Sequence, residues 1–229
     1  IYTIPNFQNP MGVTMSAARR SQLYTLAEQY DVMILEDDPY GKLRYSGEPV
    51  AAVKTLDQGK RVIYTSSFSK IIAPGIRVAY LCAPKELMAK MVVAKQCVDV
   101  HTNMISQLLV YDYLTHYDLE EHVRVCCEHY RKKRDAMLAA VERTFPVEVS
   151  VTQPEGGLFL WATLPEGYSG MEFYQRVVEA GVAPVPGAPF FADNMPDDRG
   201  MRLNFSVPSI QQIEEGIARM GEELRTFIQ

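Results

Sequence analysis

Hydrophobic and polar positions are arranged differently in the two halves of the chain. In the first half, short apolar runs with no internal alternation stand at Ile1-Tyr2-Thr3-Ile4, Val32-Met33-Ile34-Leu35, Arg61-Val62-Ile63-Tyr64-Thr65 and Val78-Ala79-Tyr80-Leu81-Cys82. Such runs predict strands of a sheet covered on both faces. Between the first two, Asn9-Pro10-Met11-Gly12 signals a turn, and Thr14 or Ser16 can cap a helix reaching about Tyr30. Leu23, Leu26, Ala27 and Tyr30 recur there at helical spacing. From Lys85 to about Phe145 the spacing is helical, with breaks near Thr102 and Tyr117. Strands are then predicted at 147–151, 157–163 and 201–207, and helices at 171–180 and 209–228, the last capped by Ser209.

This pattern predicts an α/β fold, a mostly parallel sheet with flanking helices, followed by a smaller α+β domain. The boundary falls near residue 113, giving domains 1–112 and 113–229. In a doubly covered parallel sheet, polar residues just past the strand ends form the ligand crevice. Polar clusters follow residues 4, 35 and 65. The chain opens directly inside a strand pattern, with no initiating Met, which reads as the middle of a longer protein.

Composition narrows the picture modestly. A chain of 229 residues that is 47% hydrophobic has material for a substantial core. The net charge of −5, from 23 basic and 28 acidic residues, argues against nucleic-acid and anionic-membrane partners. No apolar run is long enough to span a membrane. Cys82, Cys97, Cys126 and Cys127 lack metal-ligand spacing and predict reduced, buried thiols, as expected in the cytoplasm. His101, His116, His122 and His129 lie in the helical stretch, with no ligand pattern for a metal.

Four clusters remain as candidates for chemistry. Lys70 follows a strand end among Ser66, Ser67 and Ser69, with Arg77 nearby. A lysine so placed suits Schiff-base chemistry, and the hydroxyls and guanidinium suit a phosphate. Taken in isolation, it reads far more readily as a solvated loop lysine, since Lys is usually exposed. Ser67-x-x-Lys70 also matches a penicillin-recognising signature, but the partner motifs S-D-N and K-T-G are missing. Asp37-Asp38-Pro39-Tyr40 ends a buried strand, where an acid either caps a turn or meets a partner. Asn9 precedes a proline in a turn. Arg202 lies within a strand-like run, where it either snorkels to solvent or grips a carboxylate.

Taken together, the segments YTIPNFQNPMG (2–12), ILEDDPYGKLRY (34–45), SSFSKIIAPGIRVAY (66–80), PEGGLFLW (154–161), VAPVPGAPFF (182–191) and MRLNFS (201–206) resemble the fold type I, class I/II aminotransferases. The nearest subgroup is that of the 2-aminoadipate and multi-substrate aromatic enzymes. The resemblance implies pyridoxal 5'-phosphate as cofactor and amino-group transfer between an amino acid and a 2-oxo acid. It implies that Lys70 carries the cofactor aldehyde and that Asp37 faces the pyridine nitrogen. Tyr40 and Asn9 would bond the ring's phenolic oxygen. Ser67, Ser69 and Arg77 would bind the phosphate, and Arg202 the substrate α-carboxylate. It further implies a cytoplasmic homodimer.

Relative to that family, the glycine-containing phosphate loop and the ring-stacking aromatic do not occur before Ile1, so the chain is expected to be the C-terminal portion. Two rivals use the same motifs. One is the cofactor-sensing domain of a transcriptional regulator; the other is a pyridoxal-phosphate lyase on the same scaffold.

Overall fold

A computed structural model describes residues 1–192 and 199–229. The chain forms two compact units. The first comprises residues 1–6 and 14–126, and the second residues 7–13 and 127–229.

The first unit carries strands β1 (Tyr2–Thr3), β2 (Ile34–Asp37), β3 (Val62–Ser67) and β4 (Ala79–Cys82), in the spatial order β1-β2-β3-β4. The pairs β1/β2 and β2/β3 are parallel, and β4 runs antiparallel to β3. Parallel register sets Asp37 beside Thr65, so the carboxyl ends of β2 and β3 emerge on one edge. Helix α1 (Ala17–Gln29) connects β1 to β2 as a crossover. Ser16 caps it by accepting from the Arg19 N–H at 3.3 Å. Tyr24 and Ala27 pack with Ile34, Val53 and Val62 to form this unit's core. Helices α2 (Lys85–Val98) and α3 (Met104–His116) follow, with breaks where Thr102 and Tyr117 signalled them. Helix α4 (Leu119–Thr144) carries the chain from one unit into the other.

In the second unit, β5 (Ser150–Val151), β6 (Phe159–Thr163), β7 (Val185–Pro186) and β8 (Gly200–Asn204) form an antiparallel sheet in the order β5-β6-β8-β7. Helices α5 (Gly170–Glu179) and α6 (Ile210–Phe227) complete it. The expected cap of α6 is a full capping box: Ser209 accepts from the Gln212 N–H, and the Gln212 side chain accepts from the Ser209 N–H. Leu160, Phe173, Val177, Met201, Phe205, Ile213, Met220 and Leu224 fill the core.

The short segment 7–13 joins this second unit for a local reason. Gly12 has φ +71°, and a Cβ there would lie 2.4 Å from the Phe159 carbonyl oxygen. Gly157 has φ +75°, and a Cβ there would lie 2.5 Å from the Phe7 Cβ. Only glycine permits these two close backbone approaches. Thr152 Oγ1 adds a hydrogen bond to the Met11 carbonyl at 3.0 Å.

Three expectations change. The buried stripe of α1 is Arg20, Tyr24 and Ala27, whereas Leu26 and Tyr30 are exposed. The helix is rotated because Arg20, not an aliphatic residue, is drawn into the interior by five hydrogen bonds. The sheet of the first unit is not covered on both faces by the described residues: Leu35 is 36% exposed, Tyr80 45% and Leu81 41%. The thiols are free as expected, but not buried. Cys82 lies on the outermost strand of the described sheet and Cys97 on a helix with no buried residue; both are exposed.

Candidate functional site

In the first unit, the carboxyl ends of the parallel strands collect the expected chemistry. β3 runs directly into a 3-10 turn at Phe68–Lys70, for which Ser67 is the N-cap. The Ser67 hydroxyl accepts from the Ser69 N–H at 3.0 Å and donates to Ser69 Oγ at 2.9 Å. A second 3-10 turn, Pro74–Ile76, ends at Arg77, which adopts the left-handed conformation with φ +53°. That backbone angle brings Arg77 Nη1 within 3.3 Å of Ser69 Oγ. Two hydroxyls and a guanidinium thus converge, and among the described residues no carboxylate bonds any of the three. This donor set fits a tetrahedral oxyanion such as phosphate. Lys70, half-buried, sits in the same turn. An open cleft of about 390 Å³ lies beside Arg77, lined by Thr65, Tyr80, Leu81 and Met88.

On the neighbouring strand, Asp37 and Asp38 have separate surroundings. Successive side chains at a strand end point to opposite sides. Asp38 has three donors. Its carboxylate accepts from Asn6 Nδ2 at 2.9 Å, from the Gly41 N–H at 2.9 Å and from the Tyr64 hydroxyl at 3.1 Å. Burial, then the Asp38 charge, pushes the Tyr64 phenol well above its ordinary value. Asn6 in turn accepts from Arg20 Nη2 at 2.6 Å. Arg20 spends its remaining donors on the carbonyls of Pro5, Met15, Val50 and Ala51. Glu36, fully buried, accepts from the Val53 and Lys54 N–H groups at 2.8 and 2.7 Å. Burial raises its pKa despite those bonds. Asp37, half-buried like Asp38, has a single donor among the described residues: its Oδ2 accepts from the Tyr2 hydroxyl at 2.7 Å. Tyr40, three residues on, is buried.

The second unit supplies the other two expected residues and brings them into contact. Arg202 Nη1 donates to Asn9 Oδ1 at 2.7 Å. The guanidinium carbon lies 4.5 Å from the Phe159 ring centroid and 5.2 Å from that of Phe190. Arg202 is therefore held between aromatic faces instead of snorkelling to bulk water, a setting that strengthens a planar fork for a carboxylate.

All eight expected site residues are thus placed: Asp37, Tyr40, Ser67, Ser69, Lys70 and Arg77 in the first unit, Asn9 and Arg202 in the second. Sequence reasoning missed the flanking pair Phe159 and Phe190, and the supports Tyr2, Asn6 and Arg20. One signal was available for Arg20, which falls on the helical stripe of Tyr24 and Ala27, where a charge needs internal partners. Among the described residues, no group of three His, Cys, Asp or Glu side chains could hold a metal, and no helix is long and apolar enough to cross a membrane.

Comparison with known proteins agrees with this arrangement. The family aminotransferase class I and II matches residues 3–220. The chain is 48% identical over 225 residues to aromatic-amino-acid aminotransferase 1 of Thermococcus litoralis, covering 98% of this chain and 54% of that protein. It is 40% identical to the 2-aminoadipate transaminase of Thermus thermophilus, covering 100% of this chain and 58% of the relative. Among solved structures, the kynurenine aminotransferase of Pyrococcus horikoshii in complex with PMP superposes with a TM-score of 0.96 at 43% identity, over 100% of this chain and 56% of that one. An uncharacterised HTH-type transcriptional regulator of Bacillus subtilis is a more distant match, 28% identical over 100% of this chain and 46% of its own length. The chain spans about half the length of the curated relatives it matches.

Proposed function

The chain belongs to the class I and II aminotransferase family, and from that premise we propose that it serves pyridoxal-phosphate-dependent transfer of an amino group between an amino acid and a 2-oxo acid. The observation that carries this reading is the convergence of Ser67, Ser69 and Arg77 on the turn that bears Lys70, beside the strand that ends in Asp37.

The bound cofactor supplies an electrophilic aldehyde and an electron-withdrawing heterocycle. Ser67, Ser69 and Arg77 hold its phosphate with one charged and two neutral donors. The Lys70 amine would be the group that holds the cofactor aldehyde and, as a free base, would carry the proton at the substrate Cα. Asp37 would face the ring nitrogen, where a carboxylate would favour its protonated form. Tyr40 and Asn9 donate to the ring's phenolic oxygen. Arg202 receives the substrate carboxylate as a two-pronged fork and so fixes the direction of the Cα–H bond. Acidic and aromatic amino acids are both admitted as donors, in keeping with the activities named for the relatives. A homodimer in the cytoplasm belongs to the same reading. The regulator reading is weaker, because its likeness to this chain is the more remote.

An absorbance titration with pyridoxal phosphate tests the proposal. The chain should develop a band near 400–430 nm, at roughly the wavelength of a lysine-linked cofactor, and Lys70→Ala should abolish it. A band that persists in Lys70→Ala removes Lys70 from its role. No uptake by the unaltered chain overturns cofactor binding.

A further inference from the structure

Resting on that cofactor reading, we propose that Tyr2 is a positioning residue for Asp37: its hydroxyl fixes one carboxylate oxygen and leaves the other to serve the ring nitrogen of the cofactor. Tyr2 lies on β1 and is paired in parallel register with Leu35 of β2. Side chains two apart on a strand share a face, so Leu35 and Asp37 lie on the same face of β2. The Tyr2 hydroxyl reaches diagonally along that face to Asp37 Oδ2, at 2.7 Å. No other hydrogen bond to the Asp37 carboxylate exists among the described residues, so this single donor sets its plane. Rotation about the terminal carboxylate bond is otherwise broad and soft.

The contact is not needed to build the fold. Tyr2 is 62% exposed and contributes little to the core. Asp37 sits at a strand end where water could solvate it. The neighbouring acid, equally half-buried, has the surroundings of a structural carboxylate: Asp38 has three donors. Asp37 has one donor, which orients it and drains some of its negative charge without consuming both oxygens. Tyr2 also stays a donor throughout the working range. Burial and the Asp37 carboxylate push its phenol up to about 12. The expected consequence is finer control of how strongly Asp37 holds the ring nitrogen's proton.

Two measurements test this. The first compares binding of pyridoxal phosphate with that of an analogue bearing CH in place of the ring nitrogen, for the unaltered chain and Tyr2→Phe. Tyr2→Phe should weaken capture of pyridoxal phosphate about 3- to 10-fold, the range for one ordinary net hydrogen bond, because at this exposed site water takes over part of the hydroxyl's role. It should leave capture of the nitrogen-free analogue and the unfolding midpoint unchanged. Equal losses for both ligands, or no loss for either, overturn the proposal while leaving cofactor binding intact. Failure of the unaltered chain to capture either ligand overturns the cofactor reading itself, and the Tyr2 role with it. The second measurement follows Tyr2 in the cofactor-free chain by NMR of ring-labelled tyrosine. Its titration should fall below about 12 in Asp37→Asn, by the part of the shift that the carboxylate adds to that of burial. An identical titration in both chains overturns the contact.

Discussion

The helices of the two units treat their apolar residues in opposite ways. In the second unit, α6 buries Ile213, Ile217, Met220 and Leu224 on one stripe, and α5 buries Phe173 and Val177. Both present polar residues on the other side, as an amphipathic helix on a finished core does. In the first unit, α2 buries nothing and α3 only Val110. Their apolar residues face outward: Val92, Val93, Val98, Ile105, Leu108 and Leu109 are each at least half exposed. What order the first unit has is concentrated elsewhere, in the polar lattice of Arg20, Asn6, Asp38 and Glu36 under the strand ends. The lesson is that one unit is held by a closed hydrophobic core, and the other by a small core plus buried ions that have been given internal partners.

The sharpest way to break this comparison is Arg20→Met. It removes five hydrogen bonds and leaves the carbonyls of Met15, Val50 and Ala51 and the Asn6 Oδ1 without the Arg20 donor, while Pro5 keeps only the Met15 N–H. A loss of about 3–5 kcal/mol is expected in denaturant unfolding, the range for breaking a buried charged network. Hydrogen exchange should show protection lost in β1, β2 and α1 but kept in α6. Loss of protection in α6 to the same degree would show that the two units do not differ as argued.

A smaller effect is expected from Glu36→Gln, and it should depend on pH. The folded-state pKa of Glu36 is raised by burial above its ordinary 4.5. The folded chain therefore binds the proton more tightly than the unfolded chain, and this contribution is complete below about pH 4.5. It is lost as pH rises through the folded value. The stability advantage of the unaltered chain over Glu36→Gln should thus be greatest near pH 4.5 and shrink toward neutrality, as read by urea unfolding at a series of pH values. A difference that grows with pH would contradict the assigned direction.

The smallest change in stability belongs to Ile105→Lys on α3. Ile105 is 69% exposed, so unfolding should shift by less than about 0.5 kcal/mol. Binding of an apolar dye such as anilinonaphthalene sulfonate should nevertheless fall. A large stability loss would mean that α3 is packed after all.

Much of the fold and most of the candidate site are legible in the linear chain. Apolar runs placed β2, β3 and β4 within a residue or two at most ends, because β-branched and aromatic runs favour extended backbone even where, as in β4, the faces are exposed. The breaks at Thr102 and Tyr117 and the cap at Ser209 were legible because turn and cap chemistry is local. Lys70, Asp37 and Arg202 were candidates as charges set against strands, but each alone read as well or better as a loop or surface charge; only the order of all six segments together singled them out.

Other features depended on contacts between residues distant in sequence. That segment 7–13 packs with residues 152–159 follows from two glycine contacts across about 150 residues, as with Gly157 against Phe7. The rotation of α1 depended on where Asn6 and the carbonyls of Val50 and Ala51 came to rest. Tyr2 could be recognised only once parallel pairing laid β1 beside β2. Local chemistry and periodicity act over a few residues and survive in the order of amino acids. The partner of a buried arginine or a half-exposed carboxylate is chosen by three-dimensional proximity, which that order does not spell out.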